Sequence, residues 1–380
     1  MDELIYLDNA ATTYPKPECV YDFMDKFNRE TIGSYKRSNI ENKGLDVVKE
    51  TRRLLKDLFH VKEGYEVIIQ SSATEAMNTV LRGIEWVDGM SVYITRFEHN
   101  ATLRTIYEIE ERFNINLYYL EMKDDKSGYD LEKIKSQFSN KSPDVLIMTH
   151  ASNSFGLITP VEDIMSLIKL NDTITIIDGA QTAGLIDFNI SQYSIDAFIF
   201  AGHKTLYGPY GVGGMIKRNT LKLKPLLTGG TGNNSISKTM PEDRTKYEAG
   251  TRNLFAIGGL YRSLVWMNDV KVKNIHEHEK NITADLIELL HAYEYLTVYH
   301  FDNQIGVISI KHNELSSDEL GKILERYKII TRVGLQCAPL SHEFMDTSPD
   351  GTVRISISYF TNQEDLKRLK DALDEVEFLI

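Results

Sequence analysis

Hydrophobic positions alternate between two rhythms along the first two thirds of the chain. Unbroken apolar runs, YEVIIQ (65–70), SVYIT (91–95), NLYYLEM (116–122), DVLIMTH (144–150), TITIID (173–178) and DAFIFA (196–201), read as strands. Between them lie segments with helical spacing. SSATEAMNTVLRG (71–83) has Ser71 or Ser72 as N-cap and Glu75 at capping-box distance from Ser72. Residues 101–113 place Leu103, Ile106, Tyr107, Ile109 and Phe113 on one side, and VEDIMSLIKL (161–170) is a further helix. Such alternation predicts a mostly parallel sheet with crossover helices, and continuous rather than alternating apolar strands predict that both sheet faces are covered.

After about residue 262 the rhythm changes. A long amphipathic helix (about 258–293) precedes the strands YLTVYHF, GVISIKH and GTVRISISYF, with the helix SSDELGKILERY among them and QEDLKRLKDALDEVEF at the end. The order suggests a smaller α+β domain. The expected division is 16–262 for the large domain and 1–15 with 263–380 for the small one.

The composition excludes several classes. The chain has 380 residues, 42% apolar and 26% charged, ordinary for a core-forming protein. Its net charge of −12 disfavours a nucleic-acid partner. No apolar run approaches the roughly 18 residues of a membrane helix, and the opening MDELIYLDNAATT does not read as a signal peptide. Cys19 and Cys337 alone make no disulfide framework. A soluble, cytoplasmic protein is expected.

Chemistry is sought beyond the carboxyl ends of the strands, where ligands of such sheets bind. Those ends deliver Glu98-His99-Asn100, His150 to Asn153, Asp178 to Gln181, and His203-Lys204. Loops carry polar residues in any protein, but so many reactive groups at successive strand ends point to one crevice. A lysine there can carry an aldehyde cofactor, and a carboxylate can keep a pyridine nitrogen protonated, the pyridoxal 5′-phosphate (PLP) arrangement. His99 suits stacking on the ring, and Gln181 or Asn153 suits a hydrogen bond to its phenolic oxygen. The N–H groups of Ala73 and Thr74 at a helix start suit the phosphate. A metal site on His99, His150, His203 and Asp178 lacks ligand spacing. His276 and His278, in IHEHEK, read as a solvated helix face.

The chain resembles the class V aminotransferase-fold PLP enzymes, specifically the cysteine desulfurase and selenocysteine lyase group. The resemblance is carried by YLDNAATT (6–13), SSATEAMN (71–78), EHNA (98–101), HASNSFGLITP (150–160), DGAQTAG (178–184) and AGHKTLYGPYGVGG (201–214). It continues through GGTGNNS (229–235), EAGTRN (248–253), RVGLQCAPL (332–340) and GTVRISISYF (351–360). It implies a fold-type I PLP-dependent transferase, with a large mostly parallel-sheet domain and a smaller α+β C-terminal domain. By position, Lys204 resembles the lysine that holds the cofactor, Asp178 the pyridinium partner and His99 the ring-stacking histidine. Gln181 and Asn153 match contacts to the cofactor oxygen, and Asn153 also borders the substrate. Thr74 and His203 match phosphate contacts, as does Thr251, reached in the family from the neighbouring subunit of a homodimer. Arg354 resembles the substrate-carboxylate arginine, Arg332 a second arginine of the site, and Cys337 the sulfur-accepting nucleophile.

The implied reaction is removal of sulfur from L-cysteine, giving L-alanine and a persulfide on Cys337, for delivery to an acceptor protein or small thiol. Selenocysteine lyase activity, or a lyase or transaminase reaction on another small amino acid, is the alternative. Cysteine is often only a small buried hydrophobe; that reading suits Cys19, whereas the loop setting of Cys337 between Gly334 and Pro339 favours a nucleophile, with Arg332 a candidate source of positive charge. Two positions depart from the family. Ala201 stands where many relatives carry a phosphate-binding serine. Gln336 stands where histidine is common, and glutamine cannot transfer a proton near neutral pH.

Overall fold

The computed structural model describes residues 4–30, 45–168, 173–232 and 236–378. In chain order the elements begin with β1 (Ile5–Tyr6), α1 (Glu18–Glu30), α2 (Val47–Leu58), β2 (Tyr65–Gln70), α3 (Ala73–Gly83), β3 (Ser91–Ile94) and α4 (Asn100–Arg112). β4 (Asn116–Tyr119), α5 (Leu131–Asn140), β5 (Val145–Thr149), α6 (Val161–Ser166), β6 (Ile174–Asp178), β7 (Ala197–Ala201) and β8 (Gly213–Arg218) follow. Then come α7 (Leu254–Val270), α8 (Val272–His291), β9 (Leu296–Tyr299), β10 (Val307–His312), α9 (Ser317–Arg326), β11 (Ile329–Ile330), β12 (Arg332–Gly334), α10 (Pro339–Phe344), β13 (Thr352–Ser356) and α11 (Gln363–Phe378).

Contacts divide the chain into two compact units, one of residues 15–86 and 174–272, the other of 1–14, 87–173 and 273–380. The first holds strands in the order β2-β8-β7-β6. β6 and β7 are parallel, while β8 runs antiparallel to both β7 and β2. The antiparallel β8 was not anticipated, because GVGGMIKR carries three glycines and lacks the apolar run of its neighbours. α7 packs on α1 and α2. A Cβ added at Gly258 would lie 3.2 Å from the ring of Phe27, so α7 approaches α1 where it has no side chain.

The second unit contains the parallel strands β5-β3-β4 and an antiparallel sheet β12-β13-β10-β9. Its core joins Leu286 and Leu290 of α8, Ile308 and Ile310 of β10, Leu320 and Leu324 of α9, Val353 and Ile355 of β13, and Leu369 and Leu373 of α11, all fully buried. Fully burying each such side chain contributes on the order of 2 kcal/mol. β1 pairs with β11 in parallel and brings Asp8 beside Ser356 at the end of β13.

Local departures have local causes. The helix expected over 258–293 is two helices, broken at Lys271, whose φ of +76° lies outside the helical region. α6 ends at Ser166, and positions 169 and 170 of its expected extent lie outside the described residues. Ser72 caps α3 by accepting from the Glu75 N–H, but the Glu75 carboxylate turns to the N–H and hydroxyl of Ser71 instead of closing the box on Ser72. The full box occurs at Ser316 and Glu319 of α9. No helix among the described residues is long and apolar enough to cross a membrane.

Candidate active site

The singled-out residues fall into one set per unit. In the unit of residues 15–86 and 174–272, β6 delivers Asp178 at its last position, and a tight turn follows in which Thr182 and Ala183 both donate to Gly179 O. Asp178 is buried and accepts from the Ala180 N–H at 3.0 Å. Burial raises its pKa, opposed by that N–H and by the positive charge of Lys204. Asp178 and Lys204 therefore interact, and Gln181 is buried in the same turn.

Lys204 follows β7 by three positions. The preceding residue, His203, stacks on Tyr210 with ring centroids 5.1 Å apart. Burial and the charges of Lys204 and Lys16 push His203 down to about 3, so it is neutral at physiological pH. Lys16, which sequence reading passed over, is buried, lowered by that burial to about 7, and donates to His203 O at 2.7 Å. Its only signal was a lysine between Pro15 and Pro17.

Ala201 ends β7 opposite Gly213 of β8. A Cβ on Gly213 would sit 2.8 Å from Ala73 N and 2.8 Å from Ser72 C, so the start of α3 packs directly on the glycine backbone. The first N–H groups of a helix have no partner within it; those of Ala73 and Thr74 point from a helix of 11 residues. Thr251 is exposed, two positions before the Asn253 cap of α7, in a segment tied by Gly250 N donating to Gly230 O. The last three positions of GGTGNNS, 233–235, lie outside the described residues.

The other unit holds His99, Asn153, Arg332, Cys337 and Arg354. His99 caps α4, its Nδ1 accepting the Ala101 N–H at 3.0 Å. Beside it, buried Glu98 accepts from Thr95 Oγ1 and from the Thr149 N–H, both at 2.7 Å, which anchors the turn after β3 to the end of β5. Arg354, in the middle of β13, is 3% exposed and faces Arg332 across the ladder. Its Nη2 is paired with Asp8 and its Nη1 donates to Asn153 O at 2.8 Å, while its Nε–H has no partner among the described residues. Burial lowers the Arg354 pKa against the opposing pull of Asp8. Asp8 is a second residue that the sequence did not single out; it lies 346 positions from its partner.

Asn153 joins this cation to the cysteine segment, since its Nδ2 donates to Gln336 O at 2.7 Å. Its Oδ1 is buried without a hydrogen-bond donor among the described residues. Cys337 is exposed, has φ of +60°, and its carbonyl accepts from the Asn100 N–H at 2.8 Å. Cys19, in the first turn of α1, is partly buried. The expected solvated face at His276 and His278 is corrected: both are half-buried, and His278 Nε2 bonds to Thr361 O at 2.9 Å beside Tyr359. No cluster of metal-ligating side chains occurs among the described residues.

The sequence profile of the aminotransferase class-V family matches residues 5–369. The chain belongs to that family. Its members are fold-type I enzymes that use PLP, and PLP is the cofactor. A probable cysteine desulfurase of Halalkalibacterium halodurans is 26% identical, over 98% of this chain and 93% of its own. A cysteine desulfurase of Wigglesworthia glossinidia brevipalpis is 27% identical over the same shares. The apo cysteine desulfurase of Thermococcus onnurineus superposes with a TM-score of 0.87 at 24% identity, over 99% of this chain and 95% of that one. These likenesses carry the fold class expected for this class V enzyme.

Proposed function

We propose that the protein is a PLP-dependent cysteine desulfurase that takes sulfur from L-cysteine onto Cys337 and releases L-alanine. The observation that carries the reading is the bridge at Asn153. Its carbonyl accepts from the Arg354 guanidinium and its amide holds the carbonyl before Cys337, so one residue sets the distance from a carboxylate anchor to a thiol. A planar guanidinium with an unused N–H is suited to a substrate carboxylate. Arg332, across the ladder, adds positive charge.

The other unit supplies groups that fit PLP: a lysine beside a buried carboxylate, and an exposed helix start packed on glycine. In this reading Lys204 and Asp178 hold the aldehyde end and the ring nitrogen, His99 covers the ring, and Gln181 and Asn153 address its oxygen. Ala73, Thr74, His203 and the partner copy's counterpart of Thr251 take the phosphate, which makes the active species a homodimer. Bound PLP supplies a sink for the electrons released at the substrate Cα. Lys204 Nζ takes the Cα proton. Cys337, as thiolate, attacks the substrate sulfur: an S–S bond forms, the C–S bond breaks, and its electron pair stays with the three-carbon fragment, which is protonated and leaves as alanine. A thiol or acceptor protein then removes the sulfur.

The test is alanine and sulfide formation from L-cysteine with a reductant, in wild type and Cys337→Ser, with L-selenocysteine in parallel. Cys337→Ser should retain the cofactor absorbance and lose sulfide release; undiminished turnover would sink the nucleophile assignment. Alanine from selenocysteine alone would make the enzyme a lyase. A second prediction concerns the helix start. Gly213→Ala places a methyl against the backbone of Ser72 and Ala73, so we expect about 1–3 kcal/mol of destabilisation and weaker PLP binding. Thermal unfolding and a PLP titration check it, and unchanged affinity would remove Ala73 from the phosphate site.

A further inference from the structure

Gln336 stands where the family commonly has histidine, and the environment of its side chain says what it does instead. It is buried, with φ of +39°, and Cys337 follows with φ of +60°. Two consecutive non-glycine residues in the left-handed region persist only where the surroundings over-determine them. Here they do. Gln336 Nε2 donates to Thr352 O on β13 at 2.8 Å, and Gln336 Oε1 accepts from His342 Nε2 on α10 at 2.7 Å. The carbonyl of Gln336 is held by Asn153 and that of Cys337 by Asn100, while Ala338 N donates back to Leu335 O at 2.8 Å.

The orientation of His342 is set in turn. An Nε2–H that donates to an amide oxygen leaves Nδ1 as acceptor, and Thr347 Oγ1 lies 2.7 Å from it. His342 is fully buried with its ring against Phe155, and is neutral at working pH, since burial and the Arg354 charge lower it to about 4. Thr352 O can only accept, so it fixes the sense of the Gln336 amide, and a neutral imidazole facing Oε1 must then carry its proton on Nε2. The inward turn of the Gln336 side chain has the outward exposure of the Cys337 thiol as its counterpart.

We propose that Gln336 and His342 are positioning residues that act as one unit, through Thr347 and Thr352, to hold the Cys337 turn in its left-handed form with the thiol presented outward. Resting on the desulfurase reading, this assigns the Gln336 position a geometric task in place of a proton-transfer one. The proton chemistry of the thiol then belongs to groups other than residue 336.

Gln336→Met keeps the volume and removes the side-chain bonds to Thr352 and His342, with the longer one from Nε2 to Arg332 O at 3.4 Å. A misplacement of about 1 Å in a reacting group can cost on the order of 100-fold, so kcat for L-cysteine should fall ten- to a hundredfold while KM changes less than threefold. The shape of the pH–rate profile should stay as in wild type. Hydrogen exchange should quicken at the amides of 335–338 and nowhere in β10 or β13. His342→Phe should give a similar defect, and the double variant little more than either alone. A profile shifted in Gln336→Met, wild-type kcat with wild-type exchange, or additive effects in the double variant would each overturn the proposal. If Gln336→Met does not fold, Gln336→Asn, one methylene too short to span both partners, carries the same readouts. The exchange measurement reads the turn without turnover, so a wild type inactive on L-cysteine would count against the desulfurase reading and leave the clamp tested.

Discussion

Asp8→Ala is expected to destabilise the protein by about 3–5 kcal/mol, the cost of leaving a buried cation without its counter-charge. Arg354 is 3% exposed at the centre of β13, and Asp8 is the one carboxylate paired with it among the described residues. Its remaining bond to the Asn153 carbonyl is neutral, and Arg332 faces it as a like charge. Removing Asp8 therefore exchanges a compensated charge for one that only a carbonyl dipole addresses. The loss should appear as a lower urea midpoint with an unchanged slope. Asp8→Leu with Arg354→Met should restore much of the stability, because an apolar pair of similar volume avoids the desolvation cost, and should still lack turnover of L-cysteine. A single Asp8→Ala variant within about 1 kcal/mol of wild type would show that Arg354 is solvated in a way its burial contradicts.

That pair also marks where sequence reading stops. Strands such as YEVIIQ and DAFIFA were legible because an unbroken apolar run of strand length leaves few alternatives, and the fold followed from their alternation with helices. The break at Lys271 was not legible, since the apolar spacing runs on across it and one residue with φ of +76° interrupts the helix. Reactive residue types at strand ends were visible; their partners were not. Asp8 and Arg354 are 346 positions apart, Lys16 and His203 are 187 apart, and Asn153 and Gln336 are 183 apart. Nothing in local spacing announces such contacts, because strand order and register create them. His342 was within reach of sequence reasoning, six positions from Gln336, but a single histidine in a short helix carries no pattern. The strand β8 hid behind its glycines for the opposite reason: they serve close backbone approach, and close approach leaves no apolar signal.

The second large effect is acid lability above the carboxylate range. His150 and His342 are buried, and burial lowers both to about 4, with the Arg354 charge adding to the effect on His342. An unfolded chain holds histidine near its ordinary value of 6.5. Between those values the unfolded state binds the proton and the folded state does not, so stability rises with pH through this window. The contribution is fully present above about pH 6.5 and is lost as pH falls toward 4. At about 1.36 kcal/mol for each unit, each histidine should remove about 2 kcal/mol by pH 5. Asp178 and Asp196, both raised by burial, respond with the opposite sign and offset part of the fall. The comparison that isolates one histidine is the difference in unfolding free energy between pH 7.5 and pH 5, in wild type and in His342→Asn. The variant should lose about 2 kcal/mol less than wild type over that interval, although it starts less stable because the Gln336 and Thr347 bonds are weakened. Equal losses in the two proteins would mean that the His342 ring takes up its proton at the same pH folded as unfolded, so that its burial does not depress it. A charged ring would donate from both nitrogens: Nε2 would still donate to Gln336 Oε1, while Thr347 Oγ1 would accept from Nδ1 and turn its own proton to His342 O.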